Sequence, residues 1–350
     1  MISSFQRAVV IQTAFLGDAI LTLPLIQRLK EFAPEAEVDV VVTPRASGLF
    51  LNHPSVTQIL PYDKRGVDRG VRGFARLRRI LLDRKYDLAV VPHRSIRSAL
   101  LARLSGIPVT VGFDRSAGRF FFAHVVRYRS DLHEIERNLS LLGPLGATST
   151  GRILPSVYPG GDDRSSIDRL IATTNLNGSR AIIAVAPGTI WNTKRWPAER
   201  FAEISKALSR EGRSVVLIGS ESDRPLCEEI RSRANSDRIL NTAGTLSLLQ
   251  SAELIRRCQV LLSNDSAPMH LAVAVRTPVV AIFGATVPSF GFAPYGDHDV
   301  IVETLGLKCR PCSVHGGPEC PIRTFNCMND IHVDRVMAAL RVFTEKYPPQ

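Results

Sequence analysis

The sequence predicts an α/β protein made of two doubly wound, Rossmann-like domains facing each other across a cleft. Three observations carry that prediction. Short apolar runs alternate with helical stretches, an order that demands parallel sheets with helices on both faces. The alternation occurs twice, in a chain of 350 residues that exceeds one ordinary core. Between its two occurrences lies Pro155-Ser156-Val157-Tyr158-Pro159-Gly160-Gly161, a stretch with linker composition.

In the first half, Ala8–Ile11, Val38–Val42, Leu88–Val91 and Val109–Val111 are continuous Val/Ile/Leu/Ala runs, the pattern of strands covered on both faces. Ile20–Phe32 and Ser98–Leu104 read as helices between them. From Lys64 to Lys85 there are nine basic residues and two acids, a local charge of +7. Phe74, Leu77 and Leu81 recur there at helical spacing while Arg72, Arg76 and Arg79 line another face, which predicts a basic amphipathic helix. The second half repeats the scheme with Ala181–Val185, Ser214–Ile218, Arg238–Leu240, Val260–Leu262 and Val279–Phe283. The expected domains are 1–160, 175–330, and a terminal helix in 331–350 that packs back on the first domain.

Hydrophobic residues at 45% and charged residues at 22% are those of a soluble globular protein. No run of 18 apolar residues is present, and the N-terminus leads straight into a strand rather than a signal segment, so a cytoplasmic location is expected. Six cysteines, four of them crowded near the C-terminus, do not form the pattern of a secreted disulfide framework. The net charge of +11 raises the question of nucleic acid, but no recognition helix, RNP-type motif or stacking aromatics accompany the basic helix. An anionic membrane surface or a phosphorylated substrate suits it better, and a solvated helix face is the plain alternative.

Ligands of doubly wound sheets bind at the carboxyl ends of strands, so the loops there are informative. Ser263-Asn264-Asp265-Ser266-Ala267-Pro268-Met269-His270 follows an apolar run and re-enters a helix, with Pro268 suited to the first helical position. Free N–H groups and the positive pole of that helix make an anion site, with His270 in its first turn; a plain capped helix is the other reading. Gln12-Thr13-Ala14-Phe15-Leu16-Gly17-Asp18 places a glycine for close approach and an acid at a helix start, where Asp18 serves either as N-cap or as base. Pro187 to Pro197 sets Gly188, Thr189 and Lys194 ahead of a helix starting near Pro197, a phosphate-cradling composition without the Walker A spacing. Gly219 to Asp223 offers carboxylates, Glu221 among them, for ribose hydroxyls or for capping. Asn241 to Leu248, with Leu246, suits a purine edge or an ordinary strand–helix junction.

In this combination and order the loops resemble glycosyltransferase family 9, the heptosyltransferases of lipopolysaccharide inner-core assembly. Leu16-Gly17-Asp18 with Leu21-Thr22-Leu23-Pro24, Pro187-Gly188-Thr189 through Lys194-Arg195-Trp196-Pro197, and Asn264 through Ala272 carry the resemblance, which runs from about Val9 to Ile331. The tail Cys309-Arg310-Pro311-Cys312, Cys320-Pro321 and Cys327-Met328 is most similar to the subgroup that adds the second heptose. The resemblance implies a GT-B fold and inverting transfer from ADP-L-glycero-β-D-manno-heptose without a metal or other cofactor. It implies Asp18 as general base and Lys194 on the donor diphosphate. Gly188, Thr189, Glu221, Leu246, Asp265, Ser266, Ala267 and His270 become the remaining donor residues. Asp265, as an anion beside phosphates, is expected to accept from heptose hydroxyls or nearby N–H groups. Ala267 departs from the Gly that many relatives carry, and its methyl crowds the donor.

The acceptor implied is lipid A with its Kdo sugars, or its heptosylated form. Being anionic, it makes Lys64, Arg65, Arg69, Arg72 and Arg76 the acceptor candidates, with Arg94, Arg97 and Arg115 behind them and the inner-membrane surface as a further partner. No nucleic acid is expected. Cys309, Cys312, Cys320 and Cys327 could hold a structural zinc, although the second pair is six residues apart and the chemistry asks for none. Cys227 and Cys258 fall in helical patterns as buried apolar residues. A sugar-nucleotide epimerase or a non-catalytic glycan- or membrane-binding module are the alternatives, against which the loop set and the joint presence of Asp18 and Lys194 argue.

Overall fold

The computed structural model describes residues 5–147, 151–179 and 181–346. Residues 1–4, read as leading into the first strand, and 347–350 of the expected terminal helix lie outside them. The chain divides into two compact units, Met1–Tyr158 and Pro159–Gln350, and the division falls inside the Pro/Gly-rich stretch.

The first unit holds six parallel strands: β1 (Arg7–Gln12), β2 (Glu37–Val42), β3 (Gln58–Pro61), β4 (Leu88–Val91), β5 (Val109–Phe113) and β6 (His124–Val126). They lie in the order β3-β2-β1-β4-β5-β6, with Ala8 level with both Val38 and Leu88. β4 is buried throughout, as its apolar run requires. Its helices are α1 (Leu16–Phe32), α2 (Pro44–Ser47), α3 (Gly70–Asp83), α4 (Ile96–Leu104) and α5 (Glu134–Ser140). α3 is the basic amphipathic helix. It turns Leu77 and Leu81 into the core, where each contributes ~2 kcal/mol of burial, while Arg72, Arg76 and Arg79 stay exposed.

The second unit repeats this plan after α6 (Gly161–Thr173). Its strands are β7 (Ile182–Ala186), β8 (Ser214–Leu217), β9 (Ile239–Asn241), β10 (Val260–Asn264), β11 (Val279–Phe283) and β12 (Val300–Glu303). They are parallel in the order β12-β11-β10-β7-β8-β9, which is the first sheet's order with each strand replaced by its counterpart. Helices α7 (Ala198–Arg210), α8 (Arg224–Ala234), α9 (Leu248–Arg256), α10 (Ala267–Ala274), α11 (Asn326–Asn329) and α12 (Val333–Lys346) complete it.

Three strands escaped the sequence reading: β3, β6 and β12. All are edge strands. They are short and only partly buried; β3 and β6 have no run of three apolar residues, whereas the run Val300-Ile301-Val302 of β12 was passed over. The terminal helix is also not where it was expected. Val336, Met337, Leu340 and Phe343 of α12 belong to the core of the second unit, with Trp196, Phe201, Ile204 and Leu208. An apolar helix face reveals that a partner exists but not which sheet supplies it. Among the described residues no helix is long and apolar enough to cross a membrane.

Candidate active site

Each sheet reverses its winding once, between β1 and β4 in the first unit and between β7 and β10 in the second. At such a point the loops leaving two neighbouring strands diverge to opposite faces and leave a crevice between them. Asp18 lies at the first of these crevices, and Lys194, Asp265, Ser266 and His270 lie at the second.

In the first unit the loop after β1 is tied down from within. Gln12 bonds Thr22 at 3.1 Å and accepts the Ala14 N–H, and the Thr22 hydroxyl donates to the Asp18 carbonyl at 2.8 Å. Asp18 is not the N-cap. It stands third in α1, whose N-cap is Phe15, and its carboxylate reaches back to accept the Phe15 N–H at 3.2 Å. Loss of water around the carboxyl, and then the charge of Glu134, push its pKa up to about 6; the Phe15 N–H and Arg94 pull the other way. Glu134 is neutralised by Arg137 at 2.9 Å, and Tyr128 donates to it at 3.0 Å. The Tyr128 ring in turn carries Arg94 at 4.5 Å, with Arg115 at 5.6 Å. Asp18 therefore sits beside a guanidinium-rich wall, which continues into a concavity of about 570 Å³ lined by Arg115, Arg127, Tyr128 and Arg129.

Sequence reasoning missed His93. It lies just beyond β4, across the crevice, where its Nδ1 is 3.0 Å from both the Thr13 and the Ser98 hydroxyls. Burial, then Lys64 and Arg94, lower its pKa to about 4, so the ring is neutral near pH 7. The only sequence sign was its place at a strand's carboxyl end. Lys64 joins the same group by donating to Thr13 at 3.4 Å, and desolvation with Arg65 and Arg97 depresses its pKa.

The five basic acceptor candidates thus separate. Lys64 reaches the crevice, and Arg65, Arg69 and Arg72 are exposed. Arg76 is bound to the buried Asp68 at 2.7 Å. Arg97 is likewise occupied, donating to Tyr62 and to the Gly70 carbonyl.

In the second unit the loop after β7 meets the loop after β10. Asn264, fully buried, holds them together: its amide donates to the Pro187 carbonyl at 2.8 Å and its oxygen accepts from the Trp196 N–H at 3.1 Å. Trp196 anchors the far end of the loop in the core and donates its indole N–H to Ile331. Between these anchors Lys194 reaches Asp265 at 2.6 Å, and the Thr286 hydroxyl donates to the same carboxylate oxygen at 2.6 Å. Asp265 thus accepts from the Lys194 ammonium and the Thr286 hydroxyl. It fixes where the Lys194 charge stands. Ser266 is the N-cap of α10, and the helix opens at Ala267, one residue before Pro268. His270 is buried in its first turn.

Gly188 and Thr189 lie on the same loop. A Cβ at 188 would stand 2.3 Å from the Asp223 carboxylate, so a larger residue would have to displace that side chain. Asp223 itself is spent on the Ser220 N–H and hydroxyl. Glu221 is the exposed acid of that loop, and it overlies Gly244, whose φ of +75° demands glycine. Leu246, half-buried, follows two residues later. These groups stand at the carboxyl ends of β8 and β9, next in line from Lys194.

The cysteine segment buttresses this site. Cys312 N–H donates to Ala285, Arg310 donates to Gly284, Thr286 and Thr304, and the Gly317 N–H donates to the Thr193 hydroxyl beside Lys194. All six cysteines are free thiols. Among the described residues no three His, Cys, Asp or Glu side chains are grouped so as to hold a metal ion, Cys309, Cys312, Cys320 and Cys327 included. Cys327 packs into the core, where burial and then the neighbouring cysteines push its thiol up to about 11. Cys227 and Cys258 are buried.

The model of Glycosyltransferase family 9 (heptosyltransferase) matches residues 74–322. The chain is 30% identical over 298 residues to lipopolysaccharide heptosyltransferase 2 of Escherichia coli (strain K12), covering 81% of this chain and 84% of that protein. It is 29% identical over 297 residues to the Salmonella typhimurium protein of the same name, with the same coverage. Among solved structures, the glycosyl transferase family 9 protein from Veillonella parvula superposes with a TM-score of 0.87 at 24% identity, covering 97% of this chain and 98% of that one. The E. coli ADP-heptose lps heptosyltransferase II superposes at 0.79 and 25% identity, covering 97% and 99%.

Proposed function

From the premise that the chain belongs to glycosyltransferase family 9 and is a glycosyltransferase, we propose that it transfers L-glycero-D-manno-heptose from ADP-L-glycero-β-D-manno-heptose to the inner core of a lipopolysaccharide, inverting the anomeric centre. The observation that carries the reading is the pair of crevices. One holds a carboxyl group near pKa 6 among cations, and the other holds a fixed ammonium beside a helix start.

In this reading Asp18 accepts the proton of the acceptor hydroxyl as its oxygen attacks the anomeric carbon. The bond from that carbon to the β-phosphate breaks, and its electron pair leaves with ADP. A carboxyl group near pKa 6 is mostly ionised at pH 7 yet basic enough to take the proton. Lys194 meets the charge growing on the diphosphate. Because Asp265 and Thr286 hold it in place, little reorganisation is needed as the bond breaks. Glu221 is suited to ribose hydroxyls, Leu246 to the purine, and Ser266, Ala267 and His270 to the sugar and phosphates. Lys64, Arg65, Arg69 and Arg72, with Arg94 and Arg115, suit an anionic acceptor on lipid A at an anionic membrane surface, either Kdo-bearing or already carrying one heptose.

The test is a mass-spectrometric transfer assay in which ADP-heptose is supplied with Kdo2-lipid A and with its monoheptosylated product. A mass gain of one heptose on either acceptor is expected. Hydrolysis or epimerisation of the donor with neither acceptor modified would reject the reading.

A further inference from the structure

The loop between β3 and α3 and the first turn of α3 carry two apolar side chains that the fold does not use. Val67 is 91% and Val71 83% exposed. The loop that presents them is firmly pinned. Asp63 accepts the Gly66 N–H at 2.8 Å, and the buried Asp68 accepts the Asp63 N–H at 3.0 Å. Asp68 also binds Arg76 of α3, while Arg97 of α4 donates to the carbonyls of Asp68 and Gly70. Gly66 and Gly73 permit this folding, since a Cβ on either would lie within 2.3 Å of Asp63 or Asp68. The valines thus project from a rigid turn at the carboxyl end of the first sheet, where the Asp18 loop also emerges.

Their surroundings narrow what could cover them. Seven basic residues and one acid lie between Lys64 and Arg79, and the acid, Asp68, is already paired. Arg65, Arg69 and Arg72 are exposed beside the valines. The contacts of Arg97 bring its neighbour Ile96, half-exposed at the start of α4, towards the same turn. Apolar side chains ringed by cations, without stacking aromatics, match the boundary between headgroups and acyl chains of an anionic bilayer. Nucleic acid offers phosphates, but single-strand recognition would call for stacking aromatics, and the turn presents none.

We propose that the turn Arg65–Arg72 is a membrane-docking surface: Val67 and Val71 enter the acyl boundary while Arg65, Arg69 and Arg72 engage anionic headgroups. The proposal places the mouth of the Asp18 crevice at the bilayer surface. It deepens the reading of a lipid-borne acceptor but is tested without donor or acceptor, so either can fail while the other stands.

The experiment is cosedimentation with vesicles of phosphatidylcholine alone and with about one third phosphatidylglycerol, at low salt and at about 0.5 M salt. The parent protein should bind the anionic vesicles and not the neutral ones. Val67→Ser/Val71→Ser should weaken binding by on the order of tenfold at both salt concentrations, because burial is not screened. Arg65→Gln/Arg69→Gln/Arg72→Gln should weaken it on the order of a hundredfold at low salt, with little further effect of salt. The valine variant should keep the parental melting temperature, which reports that it is folded. Anionic-vesicle binding unchanged by the valine substitutions would overturn the proposal. So would a parent protein that ignores anionic vesicles, or one that binds RNA as tightly in a manner equally insensitive to those substitutions.

Discussion

Asp18 is held away from water beside Glu134, so its carboxyl group titrates well above an ordinary aspartate, at about 6. If it is the base, kcat/KM should rise with pH through about 6 and level off above, and Asp18→Asn should lower turnover by about 10²–10⁴-fold with ADP-heptose affinity nearly unchanged. The same shift has a stability consequence. A carboxyl whose folded pKa is raised favours the fold when protonated, so its contribution is present below pH 3.8 and is lost as pH rises through 6. Asp18→Asn should therefore melt higher than the parent above pH 6, with the two curves converging towards pH 4. A full-rate Asp18→Asn protein would remove the residue from the mechanism. Lys194→Ala removes a charge-assisted contact worth roughly 1.5–3 kcal/mol, so ADP affinity should fall about 10–100-fold by calorimetry. His270→Ala should act in the same direction but less strongly.

The loop from Pro187 to Trp196 has its shape because Asn264, at the end of β10, bonds its first carbonyl and its last N–H. Asn264→Ala leaves both groups buried without that partner, at about 1–3 kcal/mol each, and releases the segment that carries Lys194. The expected result is a lower melting temperature together with weaker ADP binding. Asp39 offers the comparison. It is fully buried in β2 and bonded by Tyr86 and Arg84, so Asp39→Asn should also destabilise, yet ADP affinity should survive because its network supports only the first sheet. Equal loss of ADP affinity in the two variants would show that general destabilisation, not loop position, is being measured.

Each of the two units carries the same strand order and its own crevice, which suits a division of labour between acceptor and donor. Arg72 and Arg79 on α3 have no ion pair among the described residues, whereas Arg76 is committed to Asp68. Arg72→Gln/Arg79→Gln should raise the acceptor KM and flatten its dependence on salt, with donor affinity unchanged. Arg76→Gln should chiefly lower thermal stability, since it strips the buried Asp68 of its counter-ion. Steady-state kinetics at two ionic strengths, beside melting curves, separate these outcomes; a salt dependence identical to the parent in the double variant would make α3 a solvated surface.

By itself the sequence determined the α/β class, the central strands, the basic helix and the loops that bear Asp18, Lys194, Asp265 and His270. Those features are local: an apolar run, a helical period or a Gly-rich turn is written in adjacent residues. The tertiary structure decided which loops meet. His93 joins Thr13, Lys194 pairs with Asp265, and Arg76 is diverted to Asp68 because strand order brings distant segments together, and no short-range pattern encodes that order. Edge strands β3 and β6 were illegible because a strand paired on one side needs no continuous apolar run, whereas the run Val300-Ile301-Val302 of β12 was there to be read. The destination of α12 and the packing role of the cysteine segment were settled in the same way, by which apolar surface lay open to them once the sheet had formed.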